Sequence, residues 1–304
     1  MKCSRCRIEA EVALPSHHAG FCRDCFGLFF TRQVERAVKD HAMFAPGDRI
    51  LVALSGGKDS LALYHQLHAL GLDVTGLHVD LGIPDSSGPS RAAVERFCRA
   101  LGAPLEVVET AAMGLAIPDV RRAVNRPICA VCGKIKRYVF NRTAIEGGFD
   151  CLATGHNLDD EAGRLLANTL RWDVAYLSDQ GPVLPARNGF ARKVKPLCRL
   201  TEFETACYAF FQGIEVHMAP CPYSRGASFP VRKALLNRLE ETSPGSKLAF
   251  YNEFLRRGRP AFQMLEQEQG APLAPCGECG YPTSAGMCGV CRLRGQVAEH
   301  LAGR

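Results

Sequence analysis

The chain turns from a short apolar run into a glycine-rich polar loop at Arg49-Ile-Leu-Val-Ala-Leu-Ser-Gly-Gly-Lys-Asp-Ser60. The apolar run predicts a buried strand, and residues 59–70 predict the helix that follows it. Glycines at such a turn let the backbone approach a ligand closely, and the first amides of a helix favour an anion. The stretch therefore predicts a phosphate-binding loop, to which Lys58 would add a positive charge.

Short apolar runs and amphipathic stretches alternate along most of the chain. The predicted strands are residues 49–54, 73–80, 104–109 and 150–154, and the predicted helices are 28–41, 59–70, 90–101, 135–146, 159–169, 232–241 and 248–258. Such alternation is typical of a parallel sheet whose strands are joined by crossover helices. The sequence therefore predicts a doubly wound, mostly parallel α/β fold, in which ligands bind at the carboxyl ends of the strands.

The composition is that of a globular protein. Of the 304 residues, 47% are hydrophobic and 22% are charged, and no apolar run approaches the roughly 18 residues of a membrane span. The start, MKCSRCRIEA, lacks the apolar segment of a signal peptide, so a cytoplasmic location is expected and the 15 cysteines are expected to be thiols or metal ligands. The net charge of +6 permits nucleic-acid binding without establishing it.

Paired cysteines mark both ends of the chain. The first set has two CxxC pairs separated by 15 residues, and the last set has two separated by 8. These are spacings of zinc ribbons, in which four thiolates hold one structural zinc ion. The sequence thus predicts two Zn²⁺ sites, with the ligand sets Cys3, Cys6, Cys22, Cys25 and Cys276, Cys279, Cys288, Cys291. The predicted division is an N-terminal ribbon at 1–27, a catalytic domain at 28–265 and a C-terminal ribbon at 266–304.

Another CxxC, Cys129-Ala-Val-Cys132, lies in the middle of the chain, between a predicted strand and a predicted helix. Alone it could be a redox pair, half of a zinc site or an accident of sequence. Together with Cys221 it would supply three thiolates, one fewer than a structural zinc site normally needs. Three soft ligands suit a four-iron cluster with one open iron, which could hold an extra sulfur atom. The remaining cysteines lie in apolar patterns and are expected to be packing residues: Cys98, Cys151, Cys198 and Cys207.

The phosphate loop does not have the spacing of a P-loop NTPase. Its sequence, Ser55-Gly-Gly-Lys-Asp-Ser60, resembles the pyrophosphate loop of the N-type ATP pyrophosphatases, the PP-loop family. A later segment, Thr154-Gly-His-Asn-Leu-Asp-Asp-Glu161, resembles the second signature of that family, although a capped helix with an acidic first turn would look similar. The resemblance implies that ATP binds with Mg²⁺, and that His78 and Val79 contact the adenine. The nucleotide-binding residues that it implies are Ala53, Ser55, Gly56, Gly57, Lys58, Asp59, Ser60, His78, Val79, Lys136, Gly155 and Asp160.

Further motifs follow in one order along the chain. A CxxCG precedes Lys136-Arg-Tyr138, Gly181-Pro-Val-Leu-Pro185 comes later, and the lone Cys221 stands before the last cysteine pairs. Together with the two nucleotide signatures, this order resembles the TtuA family of tRNA uridine 2-sulfurtransferases over essentially the whole chain. The resemblance implies a 4Fe-4S cluster with three cysteine ligands, and these catalytic residues: Asp59, Lys136, Asp160, Cys129, Cys132 and Cys221.

The family resemblance also implies a reaction and its partners. The C2 carbonyl of a tRNA uridine, at the wobble position or in the T-loop, would be adenylated, and its oxygen would then be replaced by sulfur. The implied partners are tRNA, a ubiquitin-like thiocarboxylated sulfur carrier or another sulfide donor, and a second copy of the chain in a homodimer. Several basic residues are candidates for contacts with RNA phosphates: Arg187, Arg192, Lys193 and Lys195.

Three other functions compete with this prediction. A TtcA-like tRNA cytidine 2-sulfurtransferase would also use a cluster, but the paired terminal ribbons speak against it. An amide-forming PP-loop ligase would leave the three central cysteines unexplained. A zinc-stabilised RNA-binding protein with a vestigial nucleotide fold would not need Lys58, Asp59 and the cluster ligands together.

Overall fold

A six-stranded sheet forms the centre of the computed structural model, which describes residues 1–216, 221–224, 229–267 and 273–303. The strands in chain order are β1 Val12–Leu14, β2 Ala19–Phe21, β3 Arg49–Leu54, β4 Asp73–Asp80, β5 Leu105–Glu109, β6 Cys151–Thr154, β7 Val183–Leu184, β8 Lys193–Val194, β9 Ala274–Pro275 and β10 Pro282–Thr283. The helices in chain order are α1 Arg23–Asp40, α2 Lys58–Ala69, α3 Ser87–Leu101, α4 Ile117–Ala123, α5 Ile128–Glu146, α6 Leu158–Thr169, α7 Val174–Asp179, α8 Glu202–Phe211, α9 Phe229–Thr242, α10 Ser246–Glu253, α11 Arg259–Gln267 and α12 Gly289–Ala302.

The central sheet has the strand order β5-β4-β3-β6-β8-β7. Neighbouring strands from β5 to β8 are parallel, and β7 is antiparallel to β8. The chain moves outward from β3 to β5 and then returns to the other side of β3 with β6, so the strand order switches between β3 and β6. In the register, Leu54 lies opposite His78 and Ala53 lies opposite Thr154. The loops after β3, β4 and β6 therefore meet at the carboxyl edge of the sheet, where doubly wound folds bind ligands.

Strand β3 is buried on both faces, as its uninterrupted apolar sequence predicts. Ile50 and Val52 belong to one hydrophobic core, which α1, α2, α3, α6 and α8 cover. Leu51 and Ala53 belong to a second core, which α4, α5 and α12 cover. The alternation of side chains along one strand thus fills two separate layers of the protein.

The terminal cysteine modules pack against opposite faces of the sheet. In the N-terminal module, Phe26 and Phe30 are fully buried in the first core, and the Phe30 ring stacks on Tyr208 at a centroid distance of 3.8 Å. In the C-terminal module, Val290 and Leu293 are buried in the second core. Each module is therefore part of the main hydrophobic structure.

The predicted doubly wound α/β fold is confirmed, including the predicted bounds of β3 and β4. The structure differs at the start of α5, which begins at Ile128 instead of the predicted 135. The central CxxC therefore lies in the first two turns of this helix, whereas the sequence placed it between a strand and a helix. Pro127 precedes the helix, and proline suits a helix start because the missing amide has no partner there.

The predicted domain division remains a prediction. Helix α1 runs from Arg23 across the predicted boundary at residue 27, so Cys25 lies on the same helix as Phe30. Residues 268–272, at the start of the predicted C-terminal ribbon, lie outside the described residues. Within the described part of the chain, no helix is long and apolar enough to cross a bilayer.

Replacing Gly56 by alanine is expected to cost more stability than the same change at Gly47. Both glycines have positive φ, +81° and +85°, and this backbone conformation costs an alanine about 1–2 kcal/mol. A Cβ at Gly56 would lie 2.9 Å from Ser90 Oγ and 3.2 Å from the Ser90 carbonyl oxygen, whereas a Cβ at Gly47 would meet nothing within 4 Å. Urea unfolding of the two variants measures the difference, and equal losses would contradict a tight contact at the loop.

Candidate active site

The phosphate loop at residues 55–60 is held by its own serines. Ser60 Oγ donates to the Gly57 carbonyl at 3.0 Å and accepts from the Ser55 amide at 3.1 Å, and the two hydroxyls lie 3.2 Å apart. Gly57 precedes α2 in an extended conformation, and no side chain of the described residues caps this helix. The first amides of α2 are therefore free to face an anion, as the sequence predicts.

The second signature packs directly on this loop. A Cβ at Gly155 would lie 2.8 Å from the Ser60 amide nitrogen and 2.9 Å from the Asp59 carbonyl oxygen, so the two backbones touch. Asn157 caps α6 together with Asp160, and its Nδ2 donates to Asp59 Oδ1 at 3.0 Å. Gly155 thus has a packing role that the sequence did not indicate, and its contact with the nucleotide remains a prediction.

Two of the three acidic residues in this signature form buried ion pairs. Asp159 accepts from Lys247 at 2.6 Å, and Glu161 accepts from Lys195 at 2.7 Å. Tyr251 donates a further hydrogen bond to Glu161 at 2.9 Å. Because Lys195 is bound in this way, it is not available for RNA, although the sequence proposed it as a candidate.

The third acidic residue, Asp160, belongs to a group at the mouth of the crevice that we call the lysine–carboxylate ring. Lys233 bridges Asp160 at 2.6 Å and Glu202 at 2.9 Å, and Lys58 bridges Glu202 at 2.8 Å and Asp59 at 3.0 Å. Asn157 closes the ring between Asp59 and Asp160. The ring consists of Lys58, Asp59, Asn157, Asp160, Glu202 and Lys233.

The charges in this ring shift one another's pKa values. Burial alone would raise the pKa of Glu202, but hydrogen bonds from Lys58 and Lys233 outweigh it and lower the pKa to about 2. Burial raises the pKa of Asp160, even though Lys233 opposes that change. Sequence reasoning missed Glu202 and Lys233, because a glutamate in a capped first turn and a lysine on a helix give no signal of a site.

His78 lies at the end of β4 and is 3% exposed. Its Nδ1 is 2.9 Å from the Leu54 carbonyl oxygen, and its buried Nε2 has no partner among the described residues. Burial lowers the pKa of His78, so its imidazole is neutral at pH 7. An unpaired buried nitrogen at this edge suits a polar group of a ligand, as predicted for adenine.

Lys136 lies on α5, four residues after Cys132 and therefore on the same face of the helix. Burial lowers the pKa of His78 and raises that of Cys132, and the positive charge of Lys136 acts to lower both. Within the described residues, Lys136 has no hydrogen bond or ion pair. The sequence alone would make it a solvated helix lysine, and in the structure it is half-buried. Its contact with the nucleotide or the activated base remains a prediction.

The segment of Cys221 packs against the start of α5, where the CxxC lies. Cys129 and Cys132 lie in the first two turns of this helix, and the Cys129 thiol donates to the Tyr223 carbonyl oxygen at 3.3 Å. The pKa of Cys132 rises through burial and, to a smaller extent, through the negative charges of Cys221 and Cys129. The residues just before Cys221 lie outside the described part of the chain. The segment of Cys221 is thus brought to the CxxC from 89 residues away in sequence.

The two terminal sets differ from this trio in geometry. In each terminal set the four sulfurs lie within 4.8 Å of one another. The distances from Cys6 to Cys22 and from Cys279 to Cys288 are 3.6 and 3.7 Å, close to the edge of about 3.8 Å expected for a zinc tetrahedron. Both terminal sets therefore fit single ions. Among the described residues, the central cysteines do not form such a compact group.

Backbone amides donate hydrogen bonds to cysteine sulfurs in the terminal sets. The Cys288 amide donates to the Cys276 sulfur at 3.1 Å, and the Cys291 amide donates to the Cys288 sulfur at 3.4 Å. Such bonds lower the pKa of Cys276 to about 6, and equivalent bonds lower that of Cys3 to about 6. Thiolates are the form that binds metal.

The predicted packing cysteines have different surroundings. Cys98, Cys151 and Cys198 are buried, and burial raises the pKa of each thiol. Cys207 is half-buried on α8, beside the first core. They occupy hydrophobic surroundings, as the sequence predicts.

A cavity of about 730 Å³ lies beside α5, away from the phosphate loop. Arg137, Arg187 and Lys193 line it together with Phe190 and Tyr281. Burial lowers the pKa of Lys193 to about 7. Of the basic residues proposed for RNA, Lys193 and Arg187 therefore face this cavity, whereas Arg192 donates to the Ala42 and Met43 carbonyls of the loop before β3.

A doubly wound sheet with this loop and this second signature defines an ATP-using enzyme of the PP-loop class. Residues 29–200 match the PP-loop domain family, and residues 2–26 match the N-terminal LIM domain of 2-thiouridine synthetase TtuA. The chain is 42% identical to a tRNA-5-methyluridine(54) 2-sulfurtransferase of Thermus thermophilus, covering 96% of this chain and 91% of the relative. It is 30% identical to cytoplasmic tRNA 2-thiolation protein 1 of rice, covering 96% and 81%.

A solved structure agrees with these sequence relatives. The U34-tRNA thiolase NcsA from Methanococcus maripaludis, solved with its [4Fe-4S] cluster, superposes with a TM-score of 0.76 at 28% identity, covering 84% of this chain and 87% of that one. The chain belongs to the tRNA 2-thiolation branch of the PP-loop family.

Replacing Glu161 by glutamine is expected to destabilise the fold by about 3–5 kcal/mol, because Lys195 would remain buried without a counter-charge. The matched control is Glu146→Gln, which breaks the exposed ion pair with Arg142 and should cost about 0–1 kcal/mol. Chemical denaturation at pH 7 compares the two variants. A loss at Glu161 no larger than at Glu146 would show that this carboxylate is not structural.

Proposed function

We propose that the protein is an ATP-dependent tRNA uridine 2-sulfurtransferase that adenylates the C2 carbonyl and replaces its oxygen with sulfur. The observation that carries the proposal is the contact of the phosphate loop with the second signature at Gly155 and Asn157, at the sheet edge where His78 Nε2 is buried without a partner among the described residues. A base bound beside a nucleotide at this edge would be activated there, and the three central cysteines would supply the sulfur-handling site.

We propose the 5-methyluridine at position 54 as the substrate base. The supporting comparison is the higher identity, 42%, to the enzyme named for that position. Identity to the U34 thiolase is 28%, and to the rice 2-thiolation protein it is 30%. The wobble uridine is therefore the second candidate.

The first step is an in-line displacement at the α-phosphate of ATP. The C2 oxygen of the uridine attacks, the bond to the β-phosphate oxygen breaks, and pyrophosphate leaves. The amides of the loop, Ser60 and Lys58 would hold the phosphates, and Asp59 and Asp160 would hold Mg²⁺, which neutralises charge during the displacement. His78 Nε2 would accept a hydrogen bond from the adenine amino group.

The second step removes the activated oxygen. Hydrolysis of the C–S bond of a thiocarboxylated carrier protein would release hydrosulfide and leave the carrier's carboxylate. The hydrosulfide attacks C2, AMP leaves with the original oxygen, and loss of a proton gives the thiocarbonyl. Lys136 would stabilise the negative charge that develops beside the base. Cys129, Cys132 and Cys221 would hold a 4Fe-4S cluster with one iron free of protein ligands, which when bound supplies a site for the sulfur.

The tRNA and the sulfur carrier follow from this chemistry, and the homodimer follows only from the family resemblance. The tRNA is the substrate, the sulfur carrier is a transient partner, and a homodimer is the expected assembly. A cytoplasmic location is supported by the name of the rice relative. A TtcA-like reaction on cytidine is the alternative to thiolation of uridine.

The Cys221→Ala variant is expected to lose at least 100-fold in thiolation of bulk tRNA after anaerobic reconstitution with iron and sulfide. The reason is that two thiolates would remain where three are needed to hold the cluster. The measurement is nucleoside mass spectrometry of tRNA incubated with ATP and sulfide. Wild-type protein should yield 5-methyl-2-thiouridine.

The matched control is Cys207→Ala, which removes a half-buried thiol outside all ligand sets and should keep near wild-type activity. Unmethylated 2-thiouridine, mapped to the wobble position, would identify uridine 34 as the substrate base instead of 5-methyluridine 54. Thiocytidine would support the cytidine alternative, and wild-type protein without any thiolated product would contradict the proposal.

We further propose that each terminal set holds one Zn²⁺. The Cys276→Ser variant is expected to contain one zinc per chain instead of two and to unfold at lower temperature, because the C-terminal module forms part of the second core. Elemental analysis and thermal unfolding test this, with Cys98→Ser as the control that removes a buried thiol and should retain both ions. A zinc content unaffected by Cys276→Ser would refute the assignment.

A further inference from the structure

The lysine–carboxylate ring contains more negative than positive charge around a site for polyphosphate. Two lysines, Lys58 and Lys233, face three carboxylates, and each carboxylate uses both of its oxygens within the ring. ATP brings further negative charge to this place. Besides the free amides of α2, the phosphates would gain cationic partners if the lysines of the ring exchanged a carboxylate for a phosphate oxygen, or if a divalent ion bound the carboxylates.

Burial decides which lysines can make this exchange. The Lys195 and Lys247 side chains are both 7% exposed, and their partners Glu161 and Asp159 are 0% and 4% exposed. Breaking either pair would leave an isolated charge in the protein interior, which is strongly unfavourable. These two lysines are therefore fixed.

The pairs made by Glu202 are different. The Glu202 side chain is 43% exposed, and the side chains of Lys58 and Lys233 are 23% and 19% exposed. Water can solvate Glu202 when the lysines leave it, so the loss of these ion pairs costs little free energy. The pKa of Glu202 is about 2, so it remains a charged partner for both lysines throughout the physiological range.

Lys233 reaches the same carboxylate as the lysine of the phosphate loop. Its Nζ is 2.9 Å from Glu202 Oε2, while Lys58 Nζ is 2.8 Å from Glu202 Oε1. The two ammonium groups are therefore held side by side by a single carboxylate, at the N-terminal end of α2. A second cation next to Lys58 is positioned for the same polyphosphate.

We propose that Lys233 is a second phosphate-binding lysine, and that Glu202 is a positioning residue that holds Lys58 and Lys233 until ATP replaces it. Upon binding, both ammonium groups transfer from Glu202 to oxygens of the β- and γ-phosphates, and Asp160 is released to bind the divalent ion. This inference rests on the proposed use of ATP. Lys233 lies on α9 and Glu202 on α8, so two helices would contribute to a phosphate site that the sequence pattern assigns to the loops.

The test is the affinity of the full-length protein for ATP and for adenosine, measured by isothermal titration calorimetry with Mg²⁺. Lys233→Met is expected to weaken ATP binding by about 10- to 100-fold, the effect of losing a charge-assisted hydrogen bond, and to leave adenosine binding unchanged. Glu202→Gln is expected to retain or increase ATP affinity, because the amide holds the lysines less strongly than the carboxylate does.

The control variant is Arg238→Met, which removes an exposed cation from the same helix and should change neither affinity. Equal losses for ATP and adenosine with Lys233→Met would indicate only a structural role and overturn the proposal, as would unchanged ATP binding. If wild-type protein binds ATP with the expected Lys233 dependence but thiolates no tRNA, the proposed function fails while this inference stands.

Discussion

The close approach of two backbone segments at the switch point of the sheet determines the site. Gly155 lies so near the start of α2 that a Cβ would be 2.8 Å from the Ser60 amide nitrogen, a distance that no other residue permits. The approach places Asn157 within 3.0 Å of Asp59, 98 residues earlier in the chain. Because β3 and β6 are hydrogen-bonded neighbours, the two signatures form one surface.

The electrostatics of this surface depend on burial. All three acids of the second signature have a lysine partner, which the sequence pattern does not reveal. Removing one partner of such a buried pair would leave an uncompensated charge in the interior, which is strongly destabilising. Partly exposed pairs contribute little stability and are free to exchange partners. The same residue types therefore form fully buried pairs at Asp159 and Glu161 and a partly exposed pair at Asp160, where we propose that the divalent ion binds.

The cysteines illustrate how spacing and packing jointly define a metal site. Four sulfurs held within 4.8 Å match one tetrahedral ion at each end of the chain. At the central site, two cysteines come from one helix start and the third from a segment far along the chain, so only packing brings the two segments together. Since both terminal modules contribute to the hydrophobic cores, their metal ions would also stabilise the two faces of the sheet.

The sequence alone determined the fold class, the phosphate loop, the cysteine sets and the location of β3 and β4, because these depend on local periodicity and on short motifs. It did not determine that α5 begins at the CxxC, since a helix start within a motif has no distinct periodicity. Only the tertiary structure placed Glu202 and Lys233 at the loop and fixed Lys195 against Glu161. Charged residues on helix surfaces look alike in sequence, and their partners depend on packing between segments far apart in the chain.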